Sequence, residues 1–317
     1  MNRFKAIIDC DPGHDDALAI LWALASRRID ILGITTVAGN KSIDKVTENT
    51  LRLLTLAGRT DIPVAKGQPN PLMRNLIIGG DVVHGESGLD GPALPEKETD
   101  VIELGAVDFL IKTLEESEEK ITLIPLGPLT NIAKLFLVRP DLMKKIERIS
   151  LMGGGATHGN WTPFAEYNIF ADPEAAKIVF NADLPIIMAG LDVTLKAYVT
   201  KEENEILREK GNKLGVFSAE LIDFFSKFHY EVEGLPGCTL HDPTAIAALL
   251  YPEIFTGIQC NVDVETKGEL TVGMTVVDRM NYLEKVQKKT VNKNTYVLMD
   301  VDREKYVEYF IEAMGSL

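Results

Sequence analysis

Residues 6–20 read AIIDCDPGHDDALAI. The apolar run up to Asp9 predicts a buried strand, Pro12-Gly13 forces a turn, and ALAILWALAS continues as a helix. Four carboxylates, Asp9, Asp11, Asp15 and Asp16, fall within this one junction. Like charges at 4 Å repel by roughly 4 kcal/mol per pair at an effective dielectric near 20. A helix needs one N-cap, and the helix dipole offsets only about 0.3–1 kcal/mol per charge. A bound cation is the better compensation.

Working outward, the same strand-then-helix pattern recurs. Strands are expected at 5–11, 30–39, 120–127, 147–154 and 184–193, with amphipathic helices over 42–58, 103–118 and 172–182. Near-continuous apolar strands alternating with helices predict a single α/β domain over 1–317. Its mostly parallel central sheet would be flanked by helices, with a Rossmann-like core. A closed (β/α)₈ barrel is the competing topology. The acidic stretch 115–119 reads as a solvated helix end, and 285–294 as a surface turn between late strands.

In such a sheet the carboxyl ends of the strands converge on one crevice. Asn40 ends the second strand, GPLTNIA follows Leu126, and LHDPTAIA places His241 and Asp242 before another helix. Asp11, Asp16, Asn40, the Leu126 carbonyl and Asp242 are therefore expected to meet. Oxygen ligands without thiolates favour a hard cation, Ca²⁺ or Mg²⁺, with Ca²⁺ the better fit. Asp before a helix is also an ordinary cap, which competes for Asp242 and is the expectation for Asp172 in ADPEAA. His241 beside the acids is a candidate general acid or base, whereas His158 and His229, taken alone, read as structural. The segment 152–176 is Gly-rich and carries Asn160, Glu166 and Asn168, which suits hydroxyl recognition.

The 317 residues carry a formal charge of −14, against a nucleic-acid polymer or anionic membrane as partner. Three cysteines without a CxxC pair suit a reducing compartment, and no uncharged stretch of about 18 apolar residues is present. No signal peptide is expected, because cleavage would remove the acidic cluster. A cytoplasmic protein is the expectation.

DCDPGHDDALAI, VHGESGLDGP, PLGPLTNIA, LMGGG, AEYNIFADPEAA and LHDPTAIA, in this order, resemble the motifs of the inosine-uridine-type nucleoside hydrolases. The resemblance covers essentially the whole chain. It implies a Ca²⁺-dependent ribonucleoside hydrolase with a single α/β domain, assembled as a homodimer or homotetramer. It further implies that Asp11, Asp16, the Leu126 carbonyl and Asp242 bind Ca²⁺, and that Asp11 deprotonates the attacking water. By the same resemblance, Asp15, Asn40, Met152, Asn160, Glu166 and Asn168 would hold the ribose. His241 would protonate the leaving base, with His84, Phe225, His229 and His14 on the base side and Asp9 in support of the turn. A histidine at position 14 resembles the bacterial pyrimidine-preferring members, while purine or unspecific hydrolysis is the alternative. Two remoter alternatives are a Mg²⁺ phosphohydrolase, disfavoured by Gly13 two residues after Asp11, and a nucleoside-binding protein without turnover.

Overall fold

The computed structural model describes residues 3–316, with the side chains of all but residues 81 and 82. Eight strands form one sheet: β1 (Phe4–Cys10), β2 (Ile29–Thr36), β3 (Val64–Ala65), β4 (Ile121–Pro125), β5 (Ile146–Met152), β6 (Ile186–Ala189), β7 (Phe255–Cys260) and β8 (Thr295–Val301). Their order across the sheet is β3-β2-β1-β4-β5-β6-β8-β7. All neighbours pair in parallel except β8 and β7.

The apolar runs become central strands because both of their faces are covered. All five residues of β4 are buried, and so are the last five of β1. Successive side chains point to opposite faces, so Ile8 joins a core with Leu18, Trp22, Phe225 and Phe310. Ile7 joins the core on the other face, with Leu123, Ile132, Ile149 and Phe180. Helices α1 (His14–Ala25) and α2 (Ile43–Leu56) follow β1 and β2. Further along, α3 (Lys213–Phe228) and α4 (His241–Leu250) pack on the same face as α1. Residues 14–23 of α1 and all but one of the ten in α4 are buried, which explains why neither helix carries a polar stripe.

The sheet is open, with β3 and β7 at its edges, so the barrel topology does not occur. The expected strand 184–193 stops at Ala189, where Gly190 turns the chain into a short helix, Leu191–Thr194. The expected helices and the other strands form within a few residues of their predicted limits. Among the described residues, no helix is long and apolar enough to cross a membrane.

From β1 the chain builds outward to β2 and β3, then returns to β4 on the opposite side of β1. The connections leaving β1 and β4 therefore diverge and open a crevice at their carboxyl ends. Leu126 N–H donates to the Asp9 carbonyl at 2.8 Å, and Val37 N–H to the Cys10 carbonyl at 3.0 Å. Those two bonds fix three strand ends around Asp11.

Candidate functional site

Asp11, Asp16 and Asp242 are buried, and Asp15 is 7 % exposed. The Asp16 carboxylate accepts from the backbone N–H of Gly13 at 3.0 Å and of Asp11 at 3.2 Å, so it closes the turn that begins α1. Asp11 Oδ2 accepts from Asn40 N–H at 2.7 Å, whereas its buried Oδ1 has no partner among the described residues. Oxygens of Asp15, Asp16 and Asp242 lie within 4.8 Å of one another. Asp242 lies in the first turn of α4 and is not its cap, since Leu240 holds that position.

The Asp11 carboxylate is set by backbone on both sides. A Cβ added at Gly39 would meet its Oδ2 at 2.1 Å, and one at Gly127 would meet Oδ1 at 2.2 Å. Asp9 supports from beneath: its Oδ1 accepts from Thr35 Oγ1 at 2.5 Å and from Asn131 Nδ2 at 2.7 Å. Asn131 lies within the PLTNIA motif but was not singled out, because its role depends on reaching across to β1.

Burial raises these carboxyls, and repulsion from neighbouring aspartates adds to it at Asp9, Asp11, Asp15 and Asp242. Asp9 rises to about 7, Asp15 to about 8 and Asp16 to about 6, and Asp11 and Asp242 go well above the usual carboxylate range. Groups so disposed stay ionised together only beside a compensating cation. The orphaned Asp11 oxygen and an all-oxygen donor set fit a hard divalent ion. The Leu126 carbonyl accepts from Asn168 Nδ2 at 2.7 Å, which leaves it one lone pair.

Above the acids lies a cavity of about 460 Å³. Asp15, Asn40, Leu126, Met152, Asn160, Glu166, Asn168, His84, Phe225, His229, His241 and Asp242, all expected at the site, line it. Asp11 and Asp16 lie underneath, fully buried. The Glu166 carboxylate accepts from Gly154 N–H at 2.8 Å and Asn168 N–H at 2.9 Å, so it caps the helix Tyr167–Ala171 while facing the cavity. Burial pushes its carboxyl up to about 7. Asn160 Oδ1 accepts from Tyr167 N–H at 3.0 Å.

The histidines divide. His241 has its Nδ1 2.8 Å from Thr194 Oγ1, and burial lowers its pKa to about 3. His84 and His229 line the cavity, and His158 does not. His14 corrects the expectation that it faces the base. It is fully buried and outside the lining, stacked on His84, Phe224 and Phe225 at 5.3, 5.1 and 5.5 Å. As the first residue of α1 it points toward α3, so it acts on the cavity only through those rings. Asp172 is the cap it was expected to be, accepting from Ala175 N–H at 3.0 Å.

The profile of the inosine-uridine preferring nucleoside hydrolases matches residues 6–308. The chain belongs to this family. It is 52% identical over 310 residues to the pyrimidine-specific ribonucleoside hydrolase RihA of Escherichia coli O1:K1, covering 97% of each chain. Two solved nucleoside hydrolases superpose along nearly the whole length. The plant enzyme PpNRh1 gives a TM-score of 0.91 at 34% identity, covering 98% of this chain and 99% of its own. The purine-preferring ribonucleoside hydrolase of Gardnerella vaginalis gives 0.90 at 32%, covering 98% of each.

This nucleoside hydrolase also lines its cavity with residues not picked out in the sequence: Ile78, Val83, Trp161, Tyr167, Phe228 and Glu233. Only Glu233 carried a usable signal there. It continues the four-residue spacing of Phe225 and His229.

Proposed function

We propose that this chain hydrolyses the N-glycosidic bond of ribonucleosides, releasing ribose and a free base, with uridine and cytidine favoured. One observation carries the reading: a nucleoside-sized cavity with buried acids and amides at one end and aromatic rings with histidines at the other. The pyrimidine preference follows the pyrimidine-specific relative, which is 52% identical.

Asp11, Asp16, Asp242 and the Leu126 carbonyl would hold the cation, and their mixed carboxylate and carbonyl oxygens suit Ca²⁺. When bound, such an ion acidifies a water and orients a vicinal diol. Asp11, a ligand of that cation, also takes the proton of the attacking water. Asp15, Asn40, Asn160, Glu166 and Asn168 hold the sugar hydroxyls, with Met152 packed beneath. The carboxylates stabilise the positive charge that develops on the sugar as the bond breaks. His241 gives a proton to the departing base, and His84, Phe225 and His229 enclose that base.

The protein is further proposed to work as one domain, in a cytoplasmic homodimer or homotetramer. The test is release of reducing sugar from uridine, cytidine and inosine with Ca²⁺ present. If none of the three yields ribose, the reading fails.

A further inference from the structure

Within the base-side wall, α3 ends in a five-residue π-helical turn, His229–Glu233, closed by Gly234 at φ 66°. Such widened turns are rare and frequent at functional sites. Here the turn brings Glu233 to the cavity, with its Oε2 3.8 Å from His229 Nε2. The Glu233 side chain is 26% exposed. Among the described residues it has no hydrogen bond, and no lysine or arginine lines the cavity to neutralise it. Val83, Phe225 and Phe228 line the same cavity beside His84 and His229. Glu233 is exposed as a residue, so its carboxylate, which lacks a protein donor, is accessible to one presented by a ligand in the cavity.

We propose that Glu233 selects the leaving base, favouring one that presents an exocyclic amino group, cytosine over uracil; this rests on the nucleoside-hydrolase reading above. A carboxylate only accepts hydrogen bonds. Cytosine offers its N4 amino group as a donor, where uracil carries the O4 acceptor. The one N–H on that edge of uracil lies between two carbonyl oxygens, and both repel a carboxylate brought to it. His229 beside Glu233 adds a ring nitrogen able to pair with the neighbouring base atom in either case, so the discrimination lies with Glu233. Selection then combines an attraction with a repulsion. Glu233 stands on the π-helical turn after α3, not on the elements that carry Asp11, Asp15, Asp16 and Asp242, so it is a specificity residue with no part in the bond cleavage.

The test compares kcat/KM for cytidine and uridine in wild type, Glu233→Gln and Glu233→Leu. Glutamine supplies both donor and acceptor, so Glu233→Gln is expected to lower the cytidine-to-uridine ratio at least tenfold, the equivalent of about 1.4 kcal/mol. The change should fall on KM, with kcat for uridine kept within about threefold. Wild type should also bind the 2-pyrimidinone riboside, which lacks the amino group, with a KM at least about tenfold above that of cytidine. That measurement needs no variant to fold. An unchanged ratio in folded Glu233→Gln, or equal losses on both nucleosides, overturns the proposal while leaving the hydrolase reading intact. Absence of ribose from every nucleoside with wild type overturns the hydrolase reading itself.

Discussion

The Nδ1 atoms of His14 and His84 lie 3.0 Å apart, and His14 Nε2 lies 2.7 Å from the Asp90 carbonyl. A carbonyl only accepts, so His14 carries its proton on Nε2. Burial lowers the His14 pKa to about 4, which keeps the ring neutral and its Nδ1 bare. The His14 backbone N–H also donates to His84 Nδ1, at 3.3 Å, so that atom is held by both the ring and the backbone of His14. The contact fixes the His84 ring in the cavity wall, while the proposed donor to the leaving base, His241, is oriented separately by Thr194.

Substitution at His14 tests this arrangement. A glutamine can donate to Asp90 with its amide nitrogen and place its oxygen against His84. His14→Gln is expected to keep kcat/KM within about threefold, while His14→Phe lowers it tenfold or more. Equal effects from both would mean that ring packing alone matters. Nitrogen chemical shifts of the His84 ring should move in His14→Phe and stay in His14→Gln.

His241→Ala should lower kcat for uridine by about 10²–10⁴, the range of a lost general acid. A riboside with a good aryl leaving group needs no protonation. On that substrate the same variant is expected to lose less than about tenfold. Parallel losses on both substrates would sink the acid assignment.

Asp11→Ala is expected to cut kcat by about 10³ or more, read as ribose release with saturating Ca²⁺. Removing the cation should also destabilise the wild type, because binding at 100 times Kd contributes about 2.7 kcal/mol. A chelator should therefore lower Tm, and added Ca²⁺ should restore it. In Asp11→Ala the same treatment should shift Tm much less.

His229 gives a pH-dependent prediction. Burial lowers its pKa to about 4, below the value of about 6.5 expected of the unfolded chain. Between those values the unfolded state binds a proton that the folded state refuses, so the stability tied to neutral His229 is lost as pH falls from about 6.5 to 4. At 1.36 kcal/mol per pKa unit this amounts to about 3 kcal/mol. The buried carboxyls, raised in the fold, act with the opposite sign over the same range. The comparison is therefore between wild type and His229→Phe in denaturant titrations: the variant's disadvantage should shrink steadily across that interval.

What was readable from sequence was what is local. The strand, the turn and the acids of DCDPGHDD lie side by side in the chain, and a parallel sheet delivers other strand ends to the same crevice. Asn40, Leu126 and Asp242 were found that way. The two-residue β3 is too short to leave a periodic trace, and β7, half-exposed at the edge, lacks the apolar run of a central strand. Contacts set by crossing elements left no local signature. Thr194 on His241, Asp90 on His14 and Asn131 on Asp9 depend on packing across 47, 76 and 122 residues of chain. His14 shows the limit best: its position in the motif was plain, and its direction was decided by α3.

Gly39 and Gly127 touch no substrate and offer no side chain, yet a methyl group at either would strike the Asp11 carboxylate. In a saturation library scored for ribose release, both positions should therefore be as intolerant as Asp11. The difference between them would emerge only on rescue. A shorter group at 11 would make room for alanine at 127, whereas at 39 Pro128 Cδ also stands 2.9 Å from the added methyl, and no second substitution would return the carboxylate. Intolerance in such a map would mark the walls of the carboxylate's socket as strongly as the carboxylate, and paired substitutions would tell wall from reagent.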